Sequence, residues 1–388
     1  MTTVESKAGI PLRPNWAEVS LGALRKNFQT IVQRVASATV CAVIKCNAYG
    51  HGVVECGRTL EADGAKWFGV TAAEEGACLR DAGIGGRILL MTGFWRGEED
   101  VVIANRLTSA VWTLDHIERL ERAMLARRAS GKLPVHLKLD TGMGRLGVPA
   151  PEAERLARRI AASEWLELEG VFSHLASSEV LDAEDAAAQI ACFNRVLSAL
   201  RAAGLEPPLR HLSNSAAIAG RPDTWNTMVR PGLALYGYVP PFSAHEGMKR
   251  PAPLPVEPVL TWKTRIVSQR EMAAGQALGY NATYLTKAPA RIAVIAAGYG
   301  DGFNRAMSNQ GRVIVRDHYA PVVGRISMDL TTIDVTGVPG AEVGDEVLLI
   351  GRTAHCSVTA EDQAKWVGTI PYEITCGINW RVPRVYGD

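Results

Sequence analysis

Between residues 39 and 231 one pattern recurs: a short apolar, β-branched run, a turn, then a longer segment with apolar residues at spacings of three and four. The runs lie at 39–44, 67–70, 87–91, 108–112, 135–139, 168–172, 209–212 and 227–229. Strands that are apolar on both faces must be covered on both faces, which places them in a parallel sheet with helices packed against it. Eight such runs favour a closed (β/α)8 TIM-like barrel over an open doubly wound sheet. The spacing predicts helices over 21–35, 114–128 and 183–203, the first of them ahead of the first barrel strand. At 240–258 the pattern stops in a stretch carrying six of the chain's 20 prolines, which suppresses helix and central strand alike. Beyond it the period becomes alternation, at 259–267, 292–296, 312–315, 331–335 and 346–350, broken by Gly and Pro turns, with one short helix at 360–367. The expected fold is therefore α/β, a barrel over 1–250 followed by a smaller, mainly β domain over 251–388.

Charge narrows the function. Forty-two basic residues against 40 acidic ones leave a net charge of +2 with no long block of either sign, so there is no electrostatic footprint for nucleic acid. Seven cysteines, an odd number without a C-x-x-C pair, argue against a disulfide framework or a zinc site and for a reducing compartment. No apolar run reaches signal-peptide or membrane-span length. The expectation is a cytoplasmic enzyme or binding protein without a metal, acting on a small molecule.

Barrel enzymes carry their reacting groups at the C-terminal ends of the strands. Lys45 ends the first strand in VIKCNAYGHG, and Lys138 lies late in the fifth with Arg145 following in KLDTGMGR. His174 ends the sixth, Asn214 and Ser215 follow the seventh in HLSNSAA, and Arg230 ends the eighth. Such a ring of cations and hydrogen-bonding groups suits an anionic ligand. Lys45 is the sharpest candidate: an amine desolvated at a barrel mouth loses its proton more readily and becomes a nucleophile able to form a Schiff base. Taken alone, a strand-end lysine reads as readily as one that simply snorkels to water.

The motifs together carry more. VIKCNAYGHG, KLDTGMGRLG, GVFSHLASSE, HLSNSAA, VRPGLALYG, LGYNATY, AAGYGDG, GRISMD and PYEITCGINWRVPR resemble, in order, those of the alanine racemases, from about Arg13 to Arg384. The resemblance implies an isomerase of fold type III that interconverts L-alanine and D-alanine, with pyridoxal 5'-phosphate on Lys45 as an aldimine. It implies Lys45 and Tyr280 as the two bases, since inversion needs a proton removed from one face of a planar centre and returned to the other. In the family that tyrosine comes from the partner subunit, which implies a homodimer with shared sites. Arg230 would face the pyridine nitrogen, with His174 beside it. Tyr49, Ser215, Tyr372 and the backbone near Gly232 and Leu233 would hold the phosphate, with Asn214 among the cofactor's contacts. Arg145, Tyr299, Met328 and Asp329 would meet the substrate, and Lys138 would be carbamylated, as in many relatives. Two residues depart from the family pattern, Cys46 where alanine is usual and Asn281 where glycine is common; neither removes a reacting group. The resemblance further implies D-alanine supply for peptidoglycan or alanine catabolism. The competing readings are an amino-acid racemase of wider range, a decarboxylase on a similar barrel, and a non-enzymatic cofactor carrier. A decarboxylase would carry an acidic residue at Arg230, and a carrier has no need of a domain bearing a second base.

Overall fold

The computed structural model describes residues 13–248 and 250–388. The expectation of no leader segment rests on the first residues of the chain and falls outside that range. Contacts divide the chain into two units, one of residues 23–48 and 53–257, the other of the segment up to Gly22, residues 49–52 and Pro258–Asp388.

The first unit is the barrel. Its parallel strands run in the order Leu107–Val111, Arg87–Leu90, Trp67–Val70, Thr39–Val43, Met228–Val229, Leu209–His211, Leu166–Phe172 and Leu133–Asp140, and the last pairs back with the first. Each of the eight apolar runs becomes one of these strands. The helix at Glu184–Ala202 buries Ala186, Gln189, Phe193, Val196 and Leu200, a stripe at spacings of three and four. Short strands are long enough here, because a barrel buries its strands on both faces and leaves no edge to protect.

The second unit is built on the thirteen-residue strand Leu260–Met272. It pairs antiparallel with Asn15–Ser20, Glu346–Arg352 and Ala290–Ile295, and its register shifts between Trp262 and Lys263 and again between Ile266 and Ser268. Those bulges bend it enough to serve several partners along its length. Trp262 is fully buried and donates from Nε1 to Asn15 Oδ1 at 2.7 Å. The predicted helix at 360–367 is present. The strand Asn15–Ser20, which the sequence places ahead of the barrel, pairs here with Leu260–Met272 and Arg384–Gly387, so this unit is discontinuous in sequence. Among the described residues no helix is long and apolar enough to cross a membrane.

Candidate active site

Lys45 leaves the strand Thr39–Val43 and is followed by a backbone turn that few sequences adopt. Cys46, Asn47, Ala48 and Tyr49 have φ of +52°, +52°, +53° and +54°, one turn of left-handed helix without a glycine. Each such residue costs about 1–2 kcal/mol. Three hydrogen bonds within the barrel unit hold the turn: Ala48 N donates to Ile44 O at 2.9 Å, Cys46 N to Glu75 Oε1 at 2.5 Å, and Val53 N to Asn47 Oδ1 at 2.8 Å. Glu75 also accepts from Thr71 N through its other oxygen at 2.9 Å, so the carboxylate that caps one helix fixes the loop after Lys45. Sequence reasoning missed Glu75, because its place in TAAEE signals only a helix start.

The strand ends bring the cations together. Lys138 donates to Met91 O at 3.1 Å and lies 5.1 Å from the centre of the Phe172 ring. Burial, and the positive charges of Arg230, Arg145 and Lys45 acting against Asp140, lower its pKa to about 8. Arg230 is 4% exposed and meets neutral acceptors only, donating to His211 Nδ1 at 2.9 Å, Ser173 O at 2.7 Å and Leu212 O at 3.2 Å. Its Nη2 also stands 3.4 Å from His174 Nδ1. Burial and the neighbouring cations push His174 down to about 3, so that imidazole is neutral at any physiological pH. Asp140 accepts from Gly142 N and Gly144 N at 3.0 and 3.1 Å and shapes the loop that presents Arg145.

Ser215 could serve as a helix cap, but the structure gives that role to Asn214, whose Oδ1 accepts from Ala217 N at 3.0 Å while its Nδ2 donates to Ser178 Oγ at 2.8 Å. Ser215 Oγ instead accepts from Gly232 N and Ala234 N at 3.0 and 3.1 Å. The hydroxyl thus draws the amides that open the 3-10 turn Leu233–Tyr236 into one buried cluster around its oxygen. A cluster of hydroxyls and amides is a cradle for an anion without a metal.

The second unit holds the remaining candidates. Tyr49 and Tyr372 approach with ring centroids 5.9 Å apart, and Arg384 donates to Gly50 O at 2.8 Å. Gly50 has φ +85°, and a Cβ there would lie 2.1 Å from Thr375 O. Tyr280 stands 67% exposed on a short turn after the strand Ala277–Leu278, beside a cleft of about 370 Å³ that Arg270, Arg325 and Leu330 also line. Asn281 there has φ +61°, the left-handed backbone that an asparagine tolerates in place of glycine. AAGYGDG and GRISMD pair through backbone, Tyr299 N to Ser327 O at 3.0 Å and Gly300 N to Met328 O at 2.8 Å. Gly298 is required by this approach, for a Cβ would meet Ser327 O at 2.3 Å. Asp329 pairs with Arg381, whose Nε also lies 2.9 Å from the fully buried Asp301. The predicted residues therefore gather in two sets, Lys45, Lys138, Arg145, His174, Asn214, Ser215, Arg230, Gly232 and Leu233 in the barrel unit, and Tyr49, Tyr280, Tyr299, Met328, Asp329 and Tyr372 in the other.

Comparison with known proteins bears on both units. The family profile described as alanine racemase, N-terminal domain, matches residues 19–240, and that of the C-terminal domain matches residues 259–386. Alanine racemase of Syntrophobacter fumaroxidans is 40% identical over 365 residues, covering 94% of this chain and 95% of the relative. That of Symbiobacterium thermophilum is 39% identical and covers 97% and 98%. Among solved structures, alanine racemase from the D-cycloserine producer Streptomyces lavendulae superposes with a TM-score of 0.89 at 34% identity, covering 97% of both chains. Alanine racemase from Streptomyces coelicolor gives 0.88 at 34% identity, covering 96% of this chain and 98% of that one. With both profiles matched and the relatives aligned along nearly their whole length, the chain belongs to the alanine racemase family.

Proposed function

We propose that the protein interconverts L-alanine and D-alanine, with pyridoxal phosphate held by Lys45 and with Tyr280 supplied by a second copy of the chain. The observation that carries this reading is the buried cluster of positive charge: Lys138 feels Arg230, Arg145 and Lys45 against Asp140. Arg230 itself is buried among neutral acceptors. A site built this way is short of negative charge, and a phosphorylated cofactor with a substrate carboxylate supplies it. Ser215 and the backbone near Gly232 and Leu233 would hold the phosphate, with Tyr49 and Tyr372 added to that set on the family pattern alone.

When bound, pyridoxal phosphate supplies the electron sink that acidifies the substrate's α-carbon. The rest falls to this chain. Lys45 Nζ and Tyr280 Oη exchange a proton with opposite faces of that carbon. Arg230 donates and never accepts, so placed against the pyridine nitrogen it would leave that nitrogen unprotonated and moderate the electron sink, which would disfavour side reactions such as transamination. Arg145 suits the substrate carboxylate by its fork geometry. Met328 and Tyr299, 53% and 42% exposed, stand on neighbouring loops and limit the side chain that fits. A proton-transferring phenol needs shelter from water, and Tyr280, Leu285, Met328 and Leu330 form exposed apolar surface that a partner copy would cover. The product would serve D-alanine supply or the breakdown of alanine. Deuterium incorporation at the α-carbon from heavy water, compared across alanine, serine, lysine and arginine, tests the reading: rapid exchange and racemisation of alanine are expected, and exchange of none of them would refute it.

Lys138 carries a second expectation. Bare, its ammonium repels Arg145; its lowered pKa leaves roughly a tenth of the amine neutral at pH 7. The neutral nitrogen adds carbon dioxide with loss of one proton, giving an N-carboxylate anion that attracts Arg145 instead. Because only the neutral amine reacts, modification grows as pH rises toward 8 and is lost on acidification. Mass spectrometry of protein kept in bicarbonate near neutral pH should show one added carbon dioxide on Lys138. An unmodified lysine there would count against the modification.

A further inference from the structure

The interior of a (β/α)8 barrel is ordinarily packed with branched apolar side chains. This one encloses a polar chain. His136 and His211 are both 0% exposed, and His136 Nδ1 lies 2.9 Å from His211 Nε2. His211 Nδ1 accepts from Arg230 at 2.9 Å, and at the other end His136 Nε2 faces Glu169 Oε2 at 3.4 Å. Glu169 in turn binds Arg87 at 2.7 Å, and Arg87 lies over the Trp67 ring. Phe172 stacks on His211 with ring planes 3° apart and a centroid distance of 4.7 Å.

Two backbone features build this chain. The pairing of Leu133–Asp140 with Leu166–Phe172 slips between Val135, opposite Leu168, and His136, opposite Gly170, so Glu169 is the extra residue of a bulge. Bulges re-aim side chains and recur next to active sites. Gly170 then makes room for the imidazole, since a Cβ there would lie 2.7 Å from the His136 ring.

The protons in the chain have one self-consistent arrangement. Burial holds both imidazoles below their usual pKa, so each is neutral, with one N–H and one lone pair. Arg230 can only donate, so His211 accepts at Nδ1 and carries its proton on Nε2. His136 then accepts at Nδ1 and carries its proton on Nε2, which lies 3.4 Å from Glu169 Oε2 without forming a hydrogen bond to it. Burial alone would raise the Glu169 pKa, but His136 and Arg87 more than offset it and hold the carboxylate ionised. The arginine end dictates this direction by hydrogen bonding, and the carboxylate 3.4 Å from His136 Nε2 favours it by charge.

We propose that Glu169 is a positioning residue for racemisation, fixing the tautomers of His136 and His211 and through them the donor orientation of Arg230. The proposal rests on the reading that Arg230 faces the cofactor. Its test uses holoenzyme with 15N-labelled histidines, identifying the two resonance sets with His136→Phe and His211→Phe. In the wild type both imidazoles should show a protonated Nε2 and a bare Nδ1 across the neutral pH range. Glu169→Leu should mix the His136 tautomers and lower kcat per bound cofactor roughly tenfold with KM for alanine unchanged, the scale seen when an outer partner of a functional group is removed. Glu169→Gln, which keeps an acceptor, should restore both. If Glu169→Leu does not fold, Gly170→Ala, which crowds the His136 ring, should give the same loss. A purely structural role would lower Tm and cofactor content but leave kcat per bound cofactor intact. That result, a wild-type His136 protonated on Nδ1, or a Glu169→Gln enzyme as slow as Glu169→Leu would overturn the proposal. A wild-type protein that racemises nothing overturns the functional reading and this role with it, and the imidazole spectrum then still reports whether the chain exists.

Discussion

Lys45→Ala is expected to leave no measurable racemisation. On the proposed reading the substitution removes both the amine that holds the cofactor and one of the two proton carriers, and no neighbouring group replaces either: Lys138 is turned to Met91 O and crowded by other cations, and Arg145 and Arg230 neither form the linkage nor accept a proton at neutral pH. Borohydride reduction of the wild-type holoenzyme should fix the cofactor on Lys45, readable by peptide mapping. A tag on another lysine, or an alanine variant with activity, would move the site elsewhere.

Tyr280→Phe should lower turnover by about 10² to 10⁴, the usual range for a lost acid–base group. The ring stays, so packing changes little; what is lost is the proton on one face. The loss should be lopsided, with exchange of the α-proton against solvent surviving better than inversion, because Lys45 still works on its own face. If the tyrosine acts across a dimer, mixing the inactive Lys45→Ala and Tyr280→Phe chains should restore up to about a quarter of wild-type activity, since half of randomly paired dimers carry one intact site. No recovery after dissociation and reassembly would place both bases in one chain.

The barrel was legible because its strands are apolar on both faces, and such runs stand out against amphipathic helices whatever their length. Asn15–Ser20 carries no comparable pattern: NWAEVS mixes polar and apolar residues, and its partners, Leu260–Met272 and Arg384–Gly387, lie far along the chain. The groups proposed to do the chemistry were legible for the opposite reason, since Lys45, Arg230 and Tyr280 sit in short motifs whose meaning is local. Glu169 was not, because its place depends on a register slip between two strands, and no six-residue window records a slip. His136 and His211 looked like ordinary strand residues, and only three-dimensional pairing shows the hydrogen bond they share.

The turn after Lys45 bears on how this protein trades durability for function. Four consecutive left-handed residues without a glycine set about 4–8 kcal/mol against the fold, as much as the entire margin by which many domains stay folded. The chain tolerates that load directly after the proposed nucleophile, with Cys46, Asn47 and Ala48 in the barrel unit and Tyr49 opening the segment 49–52 that is grouped with the β unit. Stabilising substitutions are therefore most easily found at Cys46 and Ala48, where glycine would relax the backbone, and they are the ones a thermostable variant should avoid, since the relaxed loop would no longer fix the direction of the amine.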